Sequence, residues 1–169
     1  QHPPATRGFA VQWRVNAETL DVSGQAKPSS GTLSLCDWPQ GPGIRVDTHA
    51  RAGQAPSPHH DTLLAKLIVW HPGRFEDVLR RSQRALAETR IGGLATNLPL
   101  LRVLAAQPDL HRNEVHTRWL EAQWPALHPL LAEQVDAHHV PAHASAPTAR
   151  DEPALPDGQI ALRAPMAGR

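Results

Sequence analysis

His59, His60 and Asp61 stand side by side, directly ahead of the apolar run 62–70, "TLLAKLIVW". Imidazole nitrogens and carboxylate oxygens bind metals and move protons. Neighbouring residues of an extended segment point to opposite sides, which argues against one ion held by both histidines. No metal site is expected here, and the triplet reads as the polar lip of something larger. The later histidines, His138, His139 and His143, lie in polar, Pro/Ala-rich sequence and read as solvated chain. A His-rich metal-binding protein is the weakest reading, and metal analysis of the purified chain would separate it from the others. Cys36, the single cysteine, allows no internal disulfide and fits a reducing compartment. "LSLCDW" supplies no base to activate it, so it reads as a half-buried strand cysteine.

Arg14 is the one cation on an otherwise regular alternation. In "GFAVQWRVNA", Phe9, Val11, Trp13 and Val15 share one face, and Ala10, Gln12, Arg14 and Asn16 share the other. That period is a strand with one buried face, and it sets Arg14 on the polar side. "TLSLC", with Leu33 and Leu35 inward, and "IRVDTH", with Ile44 and Val46 inward, alternate in the same way. Residues 20–31 carry turn chemistry. Short connections between the three strands predict an antiparallel meander. The second half of "TLLAKLIVW" reads as a buried strand.

Helical spacing follows over 74–90, with Phe75, Val78, Leu79, Ser82, Ala85, Leu86 and Thr89 on one face and Gly92-Gly93 as its stop. Asn97 is the expected cap of a second helix that tolerates Pro99 in its first turn and ends before Pro108. "TRWLEAQW" and "LHPLLAEQV" read as two short helical pieces.

The net charge of +1 gives no footprint for nucleic acid. Arg80, Arg81 and Arg84 read as the solvated face of a helix. No apolar stretch of membrane-spanning length and no signal peptide occur, so neither membrane nor nucleic acid is an expected partner. Residues 140–157 are rich in Pro and Ala and poor in large apolar side chains, which reads as an extended linker. "QIALRAPMAGR" reads as the first strand of a further domain. A start at Gln1 and an ending in "APMAGR" predict a piece of a longer polypeptide.

The order of segments "GFAVQWRVNAET", "PSSGTL", "GPGIRVDTH", "HHDTLLAKLIVW", "RALAETRIGGLATNLPLLRVL" and "VHTRWLE" resembles the C-terminal domain of biotin carboxylase, over residues 8–121. The closing "APMAGR" resembles the start of a biotin carboxyl carrier domain. The resemblance implies an α+β fold, an antiparallel β-sheet flanked by helices. It divides the chain into 1–125, the carboxylase domain, 126–157, a helical tail and linker, and 158–169, the start of the carrier.

The implied activity is that of an ATP-dependent ligase, carboxylation of carrier-bound biotin by bicarbonate. The implied cofactors are biotin and ATP with Mg2+ or Mn2+, the nucleotide held by an ATP-grasp domain upstream. The implied partners are that domain, the carrier, a carboxyltransferase component and a second copy in a homodimer, in the cytoplasm. The chain alone is then expected to be inactive. Acyl-CoA carboxylases of fatty acid metabolism are one setting, and the acceptor is open among acyl-CoAs, pyruvate and urea.

Residue by residue, Arg14 matches the arginine that contacts the ureido oxygen of biotin and is its catalytic candidate. His60 and Asp61 match the rim of the biotin pocket, where the family usually reads Tyr-Tyr-Asp. Thr117 and Arg118 match positions near the adenine of ATP, and Arg45 matches a dimer-interface residue. Gln12, Thr19, Ala26 and Arg51 depart from the family's usual glutamate, aspartate, aromatic residue and tyrosine. The rival reading is a non-catalytic docking or dimerisation module that keeps the fold.

Overall fold

The computed structural model describes residues 5–57 and 61–138. Strand β1 (Phe9–Asn16) pairs antiparallel with β6 (Leu63–His71), and β6 pairs antiparallel with β5 (Ile44–Thr48). The sheet order is therefore β1-β6-β5, with β6 in the centre. Its central place explains the continuous apolar run, since Leu64, Ala65, Leu67 and Val69 are all buried. All of residues 63–71 are strand, where the sequence pattern pointed only to the second half.

Hairpin β2 (Glu18–Leu20) and β3 (Ala26–Pro28) occupies most of the stretch read as turn. Strand β4 (Leu35–Asp37) does not join a meander. It pairs instead with β7 (Arg90–Gly92), a strand the helical pattern had concealed. Alternation reports which face a strand buries and says nothing of its partner. Leu33 is fully buried but lies ahead of β4, and Leu35 is only half-buried.

Helix α1 (Phe75–Glu88) lays its apolar stripe on the sheet. Val78, Leu79, Ala85 and Leu86 pack with Val15, Leu67 and Val69. Burying each such side chain contributes about 1.5–3 kcal/mol. Ser82 and Thr89 also sit in this core, each returning its hydroxyl to the backbone carbonyl four residues earlier at 2.8 Å. The helix stops at Glu88, not at the glycine pair, because the chain must extend to pair β7 with β4.

Helix α2 (Leu98–Ala105) adds Leu98 and Leu101 to the same core, and the single turn α3 (Pro108–His111) follows. Helix α4 (Trp119–His138) is one element, not two pieces, and carries Pro125 and Pro129 inside it. An internal proline costs a helix about 3 kcal/mol. Burial of Trp119, Trp124 and Leu127 offsets that cost. Arg80 and Arg84 lie on the exposed face of α1, as the charge run implied. No helix among the described residues is long and apolar enough to cross a membrane. The predicted linker, carrier start, His59, His60, His139 and His143 lie outside the described residues.

Candidate functional site

Arg14 sits near the end of β1, on the face opposite Trp13 and Val15. Its Nη2 lies 3.4 Å from Asp61 Oδ2, and the two side chains remain 49% and 67% exposed. Asp61 is fixed from below, because its Oδ1 accepts the Leu63 N–H at 3.0 Å. That bond ties the carboxylate to the first residue of β6, so the pair spans the two strands at one end of the sheet. The guanidinium carries five donors, and a single contact leaves donors for a further acceptor.

The β1–β6 register slips between Val15 and Asn16: Val15 faces Ala65, and Asn16 faces Leu63. Leu64 is the extra residue, which makes this a β-bulge that re-aims the chain one residue past Arg14. A polar cluster surrounds it. The Glu18 carboxylate accepts from Asn16 Nδ2 at 3.2 Å, Thr62 Oγ1 at 3.2 Å and Asn97 Nδ2 at 3.4 Å. Asn97 is buried at the start of α2, but its side chain makes no cap bond. It reaches β1 instead, which overturns the capping expectation. Short-range sequence cannot reveal this, since Asn before a helix ordinarily caps it.

Beside β1 lies an apolar cavity of about 270 Å³ between Val11, Trp13, Leu79, Leu104, Val115 and Trp119. The Trp13 indole nitrogen is buried there without an acceptor among the described residues. His116 stands at the same cavity, whereas Thr117 and Arg118 are exposed in the turn leading into α4. Arg118 pairs with Glu121 at 3.8 Å on the helix surface. Arg45 is exposed on the edge strand β5 and pairs with Asp47 at 3.2 Å. Cys36 is half-buried in β4, where desolvation first and Asp37 second push its thiol pKa up, the reverse of an activated nucleophile.

Comparison with known proteins decides what this arrangement belongs to. The sequence profile of the biotin carboxylase C-terminal domain matches residues 12–122. The chain belongs to the biotin carboxylase C-terminal domain family. It is 38% identical over 125 residues to the biotin-dependent acyl-coenzyme A carboxylase alpha3 subunit of Mycobacterium leprae, covering 72% of this chain and 20% of that protein.

Among solved structures, a single-chain, multi-domain long-chain acyl-CoA carboxylase superposes with a TM-score of 0.70 at 42% identity. That match covers 78% of this chain and 13% of the other. The biotin carboxylase domain of a thermophilic 2-oxoglutarate carboxylase, solved with bicarbonate, gives 0.67 at 35% identity, covering 73% of this chain and 27% of that one. The chain thus spans about a quarter or less of the relatives it matches. The α+β fold of an antiparallel sheet with flanking helices is the one the resemblance implied.

Within this biotin carboxylase domain, the structure brings Arg14 and Asp61 together and leaves Arg45, Thr117 and Arg118 in separate surroundings. His60 lies outside the described residues. Biotin, the group the family name implies, carries a urea carbonyl, an acceptor with no charge of its own. A half-exposed guanidinium with unused donors fits such an acceptor. Sequence reasoning missed the Glu18–Asn97–Thr62 cluster behind Arg14, whose members lie up to 79 residues apart.

Proposed function

We propose that this domain forms the biotin-facing side of the active site of a biotin-dependent carboxylase. Arg14 is its principal functional side chain. The reading rests on Arg14 standing half-exposed at the strand edge, ion-paired with the backbone-anchored Asp61. Biotin supplies the nitrogen that accepts the carboxyl group. Arg14 presents a permanent, planar cation to the urea oxygen and stabilises negative charge that develops there. Asp61 orients the guanidinium, and His60 with Asp61 borders the pocket.

ATP with its divalent metal ion belongs chiefly to an upstream ATP-grasp domain, with Thr117 and Arg118 near the nucleotide. Arg45 lies in a dimer interface. The segment 126–157 joins this domain to a biotin carrier that begins at 158–169, and a carboxyltransferase component completes a cytoplasmic enzyme. Acyl-CoA carboxylation is the setting favoured by the resemblance to the M. leprae subunit.

The test is made in the full-length protein. Arg14→Ala lowers the rate of biotin carboxylation by about 10²-fold or more, the effect of losing one preorganised donor to developing charge. Bicarbonate-dependent ATP cleavage without biotin falls much less. Unchanged biotin carboxylation would favour the docking or dimerisation module instead.

A further inference from the structure

We infer that Asn97 is a positioning residue for Arg14, acting as a surrogate strand partner at the free edge of β1. This rests on the reading of Arg14 given above. Among the described residues, β1 has a strand neighbour in the three-stranded sheet only on its β6 side. The backbone groups of Arg14 and Asn16 that face away from β6 would otherwise lack partners, just where the bulge weakens the ladder. Asn97 takes them one after another. Its Oδ1 accepts the Asn16 N–H at 2.9 Å, and its own N–H donates to the Asn16 carbonyl at 3.1 Å. Its Nδ2 donates to the Arg14 carbonyl at 3.1 Å. One residue thereby imitates the paired N–H and C=O exchange of a neighbouring strand and extends it by one further carbonyl.

The device is rigid at its root. Asn97 is 7% exposed, and its carbonyl accepts the Leu101 N–H at 3.1 Å in the first turn of α2. The Glu18 carboxylate fixes the sense of the amide, because it can accept only from Nδ2. A guanidinium that must meet a small acceptor depends on the direction in which its Cα–Cβ bond leaves the strand. Freeing the carbonyl of Arg14 and the N–H of Asn16, the two groups held by the Asn97 side chain, changes that direction without touching the arginine side chain. Displacements of about 1 Å in a reacting group can cost up to roughly 10²-fold in rate.

The experiment uses the full-length protein and a double-mutant cycle. Asn97→Ser keeps a favoured residue at the start of α2 and the main-chain bond to the Asn16 carbonyl, but its side chain is too short to reach β1. Asn97→Asp keeps the size and the acceptor for the Asn16 N–H, yet cannot donate to the Arg14 carbonyl. Each is compared with wild type for biotin carboxylation and for bicarbonate-dependent ATP cleavage without biotin, alone and combined with Arg14→Ala. Both single variants are expected to lower carboxylation by about tenfold or more, with ATP cleavage within about twofold of wild type. On the Arg14→Ala background the same substitutions are expected to add less than about a further twofold, because their effect runs through Arg14.

The same fold-loss on both backgrounds, equal loss of the two activities, or unchanged carboxylation overturns the inference. If Arg14→Ala itself leaves carboxylation intact, the reading of the site has failed. If Arg14→Ala is impaired as expected and the cycle is additive, only the role of Asn97 has failed.

Discussion

Arg14 and Asp61 meet at 3.4 Å across the end of the β1–β6 ladder, and neither side chain is buried. An ion pair this exposed contributes little to folding, about 0–1 kcal/mol. The pair is therefore better explained by orientation than by stability. Asp61→Ala is expected to leave the melting temperature nearly unchanged. In the full-length protein it should lower biotin carboxylation by about tenfold, less than Arg14→Ala, because the carboxylate aims the cation and does not replace it. Calorimetry alongside the carboxylation rate checks both halves. A large fall in melting temperature would make Asp61 a structural residue.

Arg102 makes the opposite kind of contact. From α2 it donates Nε to the Leu86 carbonyl at 3.0 Å and Nη2 to the Thr89 carbonyl at 2.8 Å, closing the C-terminal end of α1. Burial depresses the pKa of this guanidinium, yet arginine stays charged at any ordinary pH. Arg102→Met keeps much of the aliphatic stem and removes both bonds. The expected loss is about 2 kcal/mol in urea unfolding, in line with bonds from a charged donor to partly buried carbonyls. A loss below about 0.5 kcal/mol would show that water replaces the guanidinium at no cost.

Much of this was legible in the chain. The stripe from Phe75 to Thr89 reads as the buried face of α1 because helical period and burial coincide there. Arg14 reads as a polar-face residue for the same reason, with period two. Strand partnership was not legible. β4 and β7 contribute three residues each and meet across more than 50 residues of chain, and no local pattern announces such a pairing. The polar cluster at Glu18, Thr62 and Asn97 was hidden similarly, since each residue has an ordinary local role that tertiary contact overrides. Trp124 and Leu127 kept the proline-interrupted α4 whole, a packing effect beyond the reach of propensity.

Acid should weaken the fold through two carboxylates. Asp21 lies in the β2–β3 turn, where the Ser23 hydroxyl, then Lys27, then the Gln25 N–H hold its pKa far below the ordinary 3.8. Asp77 lies in the first turn of α1 and accepts the Arg74 N–H at 2.9 Å, the main cause of its lowered pKa. A depressed folded pKa stabilises the fold fully above the unfolded value and loses that contribution as pH falls through the folded one. Asp21→Asn and Asp77→Asn should therefore lower the melting temperature by a constant amount above about pH 5. Below pH 3.8 the gap to wild type should close. Thermal melts at a series of pH values check this, and a gap that widens in acid would contradict the assigned direction.

Trp124 fastens α4 to the β2–β3 hairpin. Its Nε1 donates to the Val22 carbonyl at 3.0 Å, and its ring lies over Gly24, where an added Cβ would come within 3.1 Å of Cδ2. Gly24 has φ +81°, a conformation that costs other residues about 1–2 kcal/mol. Trp124→Phe removes the hydrogen bond and part of the ring, for an expected loss of about 1 kcal/mol. Trp124→Ala empties a site now 8% exposed and is expected to lose about 3 kcal/mol or more. Gly24→Ala meets two obstacles in wild type, the positive φ and the indole. In the Trp124→Ala background only the first remains. The two substitutions should thus be non-additive, with Gly24→Ala costing less in the double variant by about 1 kcal/mol. Urea unfolding of the four proteins measures the cycle. Strict additivity would mean that the hairpin and α4 do not touch in solution.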